Sequence, residues 1–236
     1  MSVFVIIPTY NERENLPRIL STVAERLPEA HILVVDDNSP DGTGDLAESL
    51  MQSFGGRLHI LHRQKKEGLG PAYIAGFKEA MSLGAQKLIE MDADFSHPPE
   101  ALPEMVRLSD TCDLVIGSRY VPGGSTPGWP LRRRLLSRFA NFYARTILRL
   151  SVKDVTAGFR CYNRKVLEAL HLDAVESKGY GFQVELTFRA EQKGFRIGET
   201  PIAFKDREKG KSKMGLSIAW EAAVKVLKMR WAAKCL

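Results

Sequence analysis

The sequence of 236 residues predicts an α/β fold, an open and largely parallel sheet with helices on both faces. Three observations predict it. Short apolar runs recur along the first half of the chain, at 3–7, 32–35, 58–61, 88–91 and 113–116. Between them lie stretches in which apolar residues return every three or four positions, the period of a helix with one buried face. Each run also ends in polar residues, which collects chemistry at the carboxyl edge of the sheet, where open α/β sheets bind ligands.

In order, the first run is stopped by Pro8 and followed by Thr9-Tyr10-Asn11 and a helix with Leu16, Ile19, Leu20 and Val23 on one face. The second leads into Asp36-Asp37-Asn38-Ser39-Pro40-Asp41-Gly42-Thr43 and a helix through Leu46, Leu50 and Phe54. The third precedes a Gly68-Leu69-Gly70 turn and a helix over 71–83. The fourth ends in Asp92-Ala93-Asp94, with a helix over 101–108 and then the fifth run, which ends at Gly117-Ser118-Arg119. Gly123, Gly124, Pro127, Gly128 and Pro130 form a breaker before a helix over 131–150. A turn at 154–160 enters a strand, helices follow near 164–170 and 182–193, and 195–204 reads as a late hairpin or edge strand, since Pro201 interrupts it. The segment 205–213 is too hydrophilic to pack and is expected to be mobile without a ligand. The expected division is a catalytic domain over 1–215, including the 131–150 helix, and a C-terminal amphipathic helix over 216–236.

Composition is that of a soluble globular protein, 44% hydrophobic and 26% charged. The net charge of +6 is unevenly spread: residues 131–150 hold six Arg and no acid, and residues 203–236 hold nine Lys/Arg against three acids. Those segments sum to +12, leaving an acidic remainder, a pattern suited to an anionic surface. In the 131–150 helix, Arg134, Arg138, Arg145 and Arg149 fall within about 60° of one another on a helical wheel, beside Leu135, Leu136, Phe139, Phe142, Tyr143 and Ile147. That pattern leaves two readings open, an interfacial membrane helix and a surface helix packed on its own domain. The last helix, with Leu216, Trp220, Ala223, Val224, Leu227 and Trp231 on one face, leaves the same two open. No secretory signal and no transmembrane segment are expected. Cys112, Cys161 and Cys235 lack disulfide or metal-ligand patterning, which fits a reducing compartment.

The Asp92-x-Asp94 pair gives the sharpest chemical clue. Two carboxylates one residue apart repel unless a cation lies between them, and hard oxygen ligands suit Mg²⁺ or Mn²⁺ carried on a diphosphate. A dinucleotide-type glycine fingerprint and a GxxxxGK[ST] phosphate loop are both absent. His97, just past the acids, reads as a loop residue, and Glu185 as a structural residue in an apolar helix pattern.

Taken together, Val5-Ile6-Ile7-Pro8-Thr9-Tyr10-Asn11-Glu12, the 36–43 segment, Asp92-Ala93-Asp94, Gly117-Ser118-Arg119-Tyr120, Phe204-Lys205-Asp206-Arg207 and Ser212-Lys213-Met214 closely resemble the polyprenol-phosphate (dolichol-phosphate) mannosyltransferases. These are inverting family 2 glycosyltransferases of the GT-A, Rossmann-like fold. The resemblance covers nearly the whole chain. It implies that Pro8, Tyr10, Glu12, Val35, Asp37, Asp92, Ala93, Asp94, Arg207 and Lys213 bind the nucleotide sugar, with Asp94 the direct metal ligand. It implies a metal, Mg²⁺ or Mn²⁺, at Asp92, Asp94 and Ser96, although Ser96 stands where some relatives carry Gln. Arg119, Arg133 and Ser137 would grip the acceptor phosphate, and Asp94, Arg119 and Arg207 would act in catalysis. The implied reaction is transfer of mannose from GDP-mannose to a polyprenyl phosphate lipid on the cytoplasmic face of a membrane. The expected partners include a membrane surface and a membrane-anchoring subunit, with no nucleic acid. Another nucleotide sugar, such as UDP-glucose, and a non-catalytic nucleotide-sensing role are the alternatives.

Overall fold

The structure is a computed structural model that describes residues 2–175, 177, 179–206 and 216–232. Its strands are β1 (Val3–Thr9), β2 (His31–Asp36), β3 (Leu58–His62), β4 (Lys87–Glu90), β5 (Leu114–Ser118), β6 (Arg160–Asn163) and β7 (Ile197–Pro201). Its helices are α1 (Leu16–Arg26), α2 (Thr43–Leu50), α3 (Leu69–Ser82), α4 (Leu102–Leu108), α5 (Leu131–Leu148), α6 (Arg164–Ala169), α7 (Tyr180–Gln192) and α8 (Leu216–Ala232). The seven strands form one sheet in the order β3-β2-β1-β4-β6-β5-β7. All pairings are parallel except those of β6, which runs antiparallel to both β4 and β5.

The two-residue period of a strand divides the core. Phe4 and Ile6 of β1, Leu33 and Val35 of β2, Leu88 of β4 and Leu114 and Ile116 of β5 face one side. There they meet Tyr73 and Phe77 of α3, Leu148 of α5 and Phe182 and Leu186 of α7. Val5, Ile7, Ile32, Val34, Ile89 and Val115 face the other side and pack on Leu16, Ile19, Leu20 and Val23 of α1 and Leu102 and Met105 of α4. The apolar face read for α1 is therefore the buried one. In α2, Thr43, Gly44 and Ala47 are buried instead, while Leu46 and Leu50 are only half-buried, because small residues let this helix sit close to β2 and β3.

The late strand is an edge and not a hairpin: β7 pairs parallel to β5, and Pro201 is its last residue, where a missing N–H costs nothing in the ladder. The last helix packs on α5 and α7. Its contacts run through Val226, Met229 and the Ala223 carbonyl, which accepts from Tyr143 Oη at 3.2 Å, while Leu227 and Trp231 of the expected apolar face stay exposed. Among the described residues no helix is long and apolar enough to cross a membrane. The 207–213 part of the hydrophilic segment lies outside the described residues. Cys161 is buried on β6, and burial pushes its thiol up to about 12, so it serves as an inert packing residue.

Close packing of α3 on the sheet requires Gly76. A Cβ there would lie 2.6 Å from Ile6 Cγ2 and 2.9 Å from Val35 Cγ2, two β-branched side chains with little rotamer freedom. Overpacking of that kind costs about 1–3 kcal/mol, against a helix-propensity gain of up to about 1 kcal/mol. Gly76→Ala is therefore expected to lose about 1–2 kcal/mol and to lower Tm by roughly 2–8 °C, measured by thermal unfolding followed by circular dichroism.

Candidate active site

The carboxyl ends of β2, β1 and β4 lie side by side, and the parallel register sets Pro8 level with Val35 and Thr9 level with Asp36. Asp36 is buried and accepts hydrogen bonds from Thr9 Oγ1 at 2.9 Å, the Ser39 amide at 2.9 Å and Ser39 Oγ at 2.6 Å, so its work is to shape the loop after β2. Asp37 pairs with Arg63, which also binds Glu67 at 2.8 Å. Burial raises the Asp37 pKa, and the Arg63 charge works against that rise. Glu12 accepts from Asn15 Nδ2 at 2.9 Å, and its amide donates to Thr43 Oγ1 at 3.1 Å, tying the first loop to the second. The Tyr10 ring carries Lys66 Nζ at 3.5 Å from its centroid.

Past β4 the chain turns sharply and carries Asp92, Ala93, Asp94 and Ser96 into this edge. Asp92 Oδ1 accepts from Tyr73 Oη at 3.2 Å, and the Asp92 amide donates to His97 Nδ1 at 3.0 Å. Asp94 Oδ1 accepts the Ser96 amide at 3.0 Å. Ser96 Oγ is buried and has no hydrogen-bond partner. Phe95, between the acid and this serine, has φ +60°, with the Arg18 guanidinium 4.8 Å from its ring centroid. Asn11 and Asn38 take the same left-handed conformation after β1 and β2, where Asn is tolerated far better than an aromatic residue.

Just beneath the pair, Glu90 is fully buried and accepts from Gln183 Nε2 at 2.7 Å. Burial pushes its pKa up to about 8, with the charge of Arg160, its cross-strand neighbour, acting in the opposite direction.

The deepest test of a metal site is its donor set. Asp92 and Asp94 give two carboxylates, and the unpartnered Ser96 hydroxyl gives a third hard oxygen. Among the described residues no group of three His, Cys, Asp or Glu gathers around a metal position. Such a set fits Mg²⁺ or Mn²⁺ whose remaining ligands are diphosphate oxygens and water.

The expected acceptor residues lie across β6, at the end of β5 and on α5. Arg119 is buried and locked: its Nε and Nη2 bind Asp154 at 2.7 and 2.6 Å, its amide donates to Asp154 at 2.9 Å, and Nη2 also reaches Thr156 Oγ1 at 2.8 Å. Most of its fork is thus committed to the fold. Ser137 Oγ accepts from Tyr120 Oη at 2.7 Å, and its carbonyl accepts from Asn141 Nδ2 at 2.9 Å. Arg133 pairs with Asp206 at 2.5 Å and lies 3.9 Å above the Trp129 ring. Gly124 allows the intervening turn to close, since a Cβ there would come within 2.6 Å of the Ser118 carbonyl oxygen. Arg207 and Lys213 lie outside the described residues.

Rings connect the two sides. His97 stacks on Phe159 with centroids 5.1 Å apart and meets Phe204 edge-on at 5.5 Å, and Phe204 meets Trp129 edge-on at 5.4 Å. His97 is therefore no loose loop residue: it holds the acid turn and begins a packed path toward Arg133. Asp154, Asn141, Thr156 and Trp129 escaped the sequence reading. The tryptophan inside a Gly/Pro-rich breaker was the one available signal, because Asp154 pairs 35 positions back along the chain. Glu185 is buried, binds Arg189 at 2.5 Å and the Ser177 amide at 3.1 Å, and holds its own helix in place.

A sequence model of "Glycosyl transferase family 2" matches residues 4–170, the span that carries the acid pair, Arg119, Arg133 and Ser137. The "Polyprenol monophosphomannose synthase" of Mycolicibacterium smegmatis is 54% identical over 223 residues, 94% of this chain and 84% of that one. The "Undecaprenyl-phosphate mannosyltransferase" of Micrococcus luteus is 50% identical over 234 residues, 99% of this chain and 96% of that one. Among solved structures, glucosyl-3-phosphoglycerate synthase from Mycobacterium tuberculosis, in complex with Mn²⁺, UDP and glucosyl-3-phosphoglycerate, superposes with a TM-score of 0.67 over 97% of this chain and 79% of that one. At 17% identity that likeness is one of fold. With the family match over most of the chain and two relatives at half identity across nearly all of it, this chain belongs to glycosyl transferase family 2.

Proposed function

We propose that the chain transfers mannose from GDP-mannose to a polyprenyl phosphate, working as a peripheral enzyme on the cytoplasmic face of a membrane. The observation that carries this reading is the meeting of two surfaces at one end of the sheet. One is a carboxylate pair with an unpartnered buried hydroxyl, suited to a metal-bound diphosphate. The other is α5, whose arginines flank Leu131, Leu135, Phe139 and Phe142, all 58–65% exposed. A largely exposed row of four large apolar side chains suits the surface of a bilayer. The names of the two half-identical relatives support the same donor sugar and the same class of acceptor.

The chemistry follows from where charge moves. The loops after β1 and β2 hold the nucleotide through Pro8, Tyr10, Glu12, Val35 and Asp37. Asp92, Asp94 and Ser96 would hold a divalent cation, which would supply charge neutralisation for the departing diphosphate. Asp94 and its neighbours fix where that diphosphate lies, so stabilisation is aimed at the charge that develops on leaving. The nucleophile is a lipid phosphate oxygen, which attacks the anomeric carbon from the face opposite the leaving group and inverts its configuration. A phosphate monoester with a second pKa near about 6 is already an oxyanion at neutral pH, so no side chain has to remove a proton. The commitment of Glu185 to Arg189 and Ser177 agrees with that economy. Arg133 and Ser137, one helical turn apart, orient the acceptor phosphate, and the locked Arg119 holds the strand end against which they work.

Asp94→Asn is expected to lower transfer by about a hundredfold or more while leaving the unfolding midpoint near wild type, since it removes charge at the leaving group and little packing. Transfer at the wild-type rate in saturating Mg²⁺ would sink the metal assignment. Arg133→Ala should raise the acceptor KM or lower turnover by roughly tenfold to a hundredfold, with GDP-mannose affinity close to wild type by calorimetry. Loss of GDP-mannose binding with intact acceptor kinetics would move this helix to the donor side of the reaction.

A further inference from the structure

A cavity of about 590 Å³ opens between α5 and the turn that follows β5. Arg119, Tyr120, Arg138, Asn141, Phe142 and Arg145 line it, with Lys153 at its rim. Its size is that of a small-molecule site, and its lining contains no acid. Among the described residues Arg138, Arg145 and Lys153 have no carboxylate partner. Arg145 Nε is buried and has no acceptor at all. Arg138 and Lys153 are exposed and gather positive charge around the hollow, and the buried Arg145 N–H left without an acceptor is the group that costs stability unless a hydrogen-bond acceptor reaches it.

The position of the cavity on α5 indicates where the anion comes from. One edge of the helix, through Ser137, Asn141, Ala144 and Leu148, faces the protein. The opposite arc carries the exposed Leu131, Leu135, Phe139 and Phe142. Arg138 and Arg145 stand between these arcs, and Phe142 belongs to both the apolar row and the cavity wall. A bilayer that receives the apolar row therefore brings its phosphate layer to the mouth of this cavity.

We infer that the cavity binds the headgroup phosphate of an anionic bilayer phospholipid, separately from the acceptor phosphate. This rests on the membrane reading of the preceding subsection and adds to it a defined site. Arg133 and Ser137 do not line the cavity, and Arg145 stands about 12 Å along the helix from Ser137. Arg119 forms a shared wall, with Nε and Nη2 already bound to Asp154. Arg138, Arg145 and Lys153 supply charge-assisted donors to the phosphate, Asn141 borders it and Phe142 packs on the glycerol and first acyl carbons. With Arg119, Arg138, Arg145 and Lys153 in its lining and no acid, the cavity favours a headgroup of net negative charge, so phosphatidylglycerol-type headgroups are preferred. The bound lipid would hold the enzyme in one orientation while the acceptor enters beside it.

The test uses the intact chain and sedimentation with vesicles of phosphatidylcholine alone or mixed with phosphatidylglycerol. R138Q/R145Q is compared with R132Q/R149Q, which removes the same charge from α5 and the residue that caps it but touches no cavity residue. Both pairs weaken binding through the general surface term, and the cavity pair is expected to lose at least about tenfold more. R138K/R145K, which keeps the charge and gives up the fork, is expected to regain part of that difference, and circular dichroism melts check that each variant folds. Equal losses in the two glutamine pairs would mean diffuse electrostatics and overturn the cavity site alone. Saturable binding of free glycerophosphoglycerol or inorganic phosphate that R138Q/R145Q abolishes, with no difference between the pairs on vesicles, would make this a soluble-phosphate site and overturn the lipid assignment. Wild-type protein that stays off every vesicle would defeat the membrane reading itself, and this proposal with it.

Discussion

Asp154 is the residue on which the seating of α5 against the sheet depends. Its carboxylate is fully buried and accepts the Arg119 amide and two Arg119 guanidinium nitrogens, while its own amide donates to Glu199 of β7 at 3.0 Å. Thr156 extends the clamp to Asn141 on α5, whose Oδ1 in turn accepts the Val155 amide at 2.9 Å. One short segment thus joins β5, β7 and α5. A buried pair of this sort contributes little net stability compared with well-packed apolar groups, but losing either partner strands a charge. Its value lies in position: it fixes the helix that carries Ser137 and the arginines relative to the sheet that carries the acids.

The two halves of the site also communicate through packing. The acid turn is held from one side by Tyr73 and from the other by His97, and the His97 ring continues into Phe159, Phe204 and Trp129. Phe204 comes two positions before Asp206, the partner of Arg133. Packing of this kind holds each ring in one arrangement, so the acid turn and the Trp129 side of α5 are fixed relative to one another. The path ends at residue 206, where the hydrophilic segment bearing Arg207 and Lys213 begins.

Much of the fold was legible because its signals are local. β1, β2, β3 and β5 are bounded apolar runs, and α1 shows a clean 3.6-residue stripe, Leu16, Ile19, Leu20 and Val23, that turned out to be its buried face. The acids at the strand ends were legible for the same reason: Asp92 and Asp94 interrupt an apolar run. What could not be read depends on distant partners. Nothing near Arg119 announces that Asp154, 35 positions on, will bind two of its guanidinium nitrogens, so the clamp was invisible beside the ligand contact its motif position suggested. The antiparallel insertion of β6 between β4 and β5 is equally hidden, since Arg160–Asn163 is four residues long and carries an arginine that is fully buried. Periodicity marked an apolar arc on α8 without saying what it meets, and among its described side chains Val226 and Met229 pack on the core while Leu227 and Trp231 stay exposed.

Phe95 has a consequence of its own. An aromatic residue at φ +60° holds a backbone shape that its own preferences oppose, and here it separates Asp94 from Ser96. The shape persists because the surroundings impose it: Ala93 and His97 are buried on either side, and Arg18 of α1 lies against the Phe95 ring. The spacing of the carboxylate and the hydroxyl is then settled when the chain folds and need not be reached when a ligand arrives. A spacing set in advance needs little reorganisation when something binds across it, so less of the binding energy these oxygens supply is spent on ordering them.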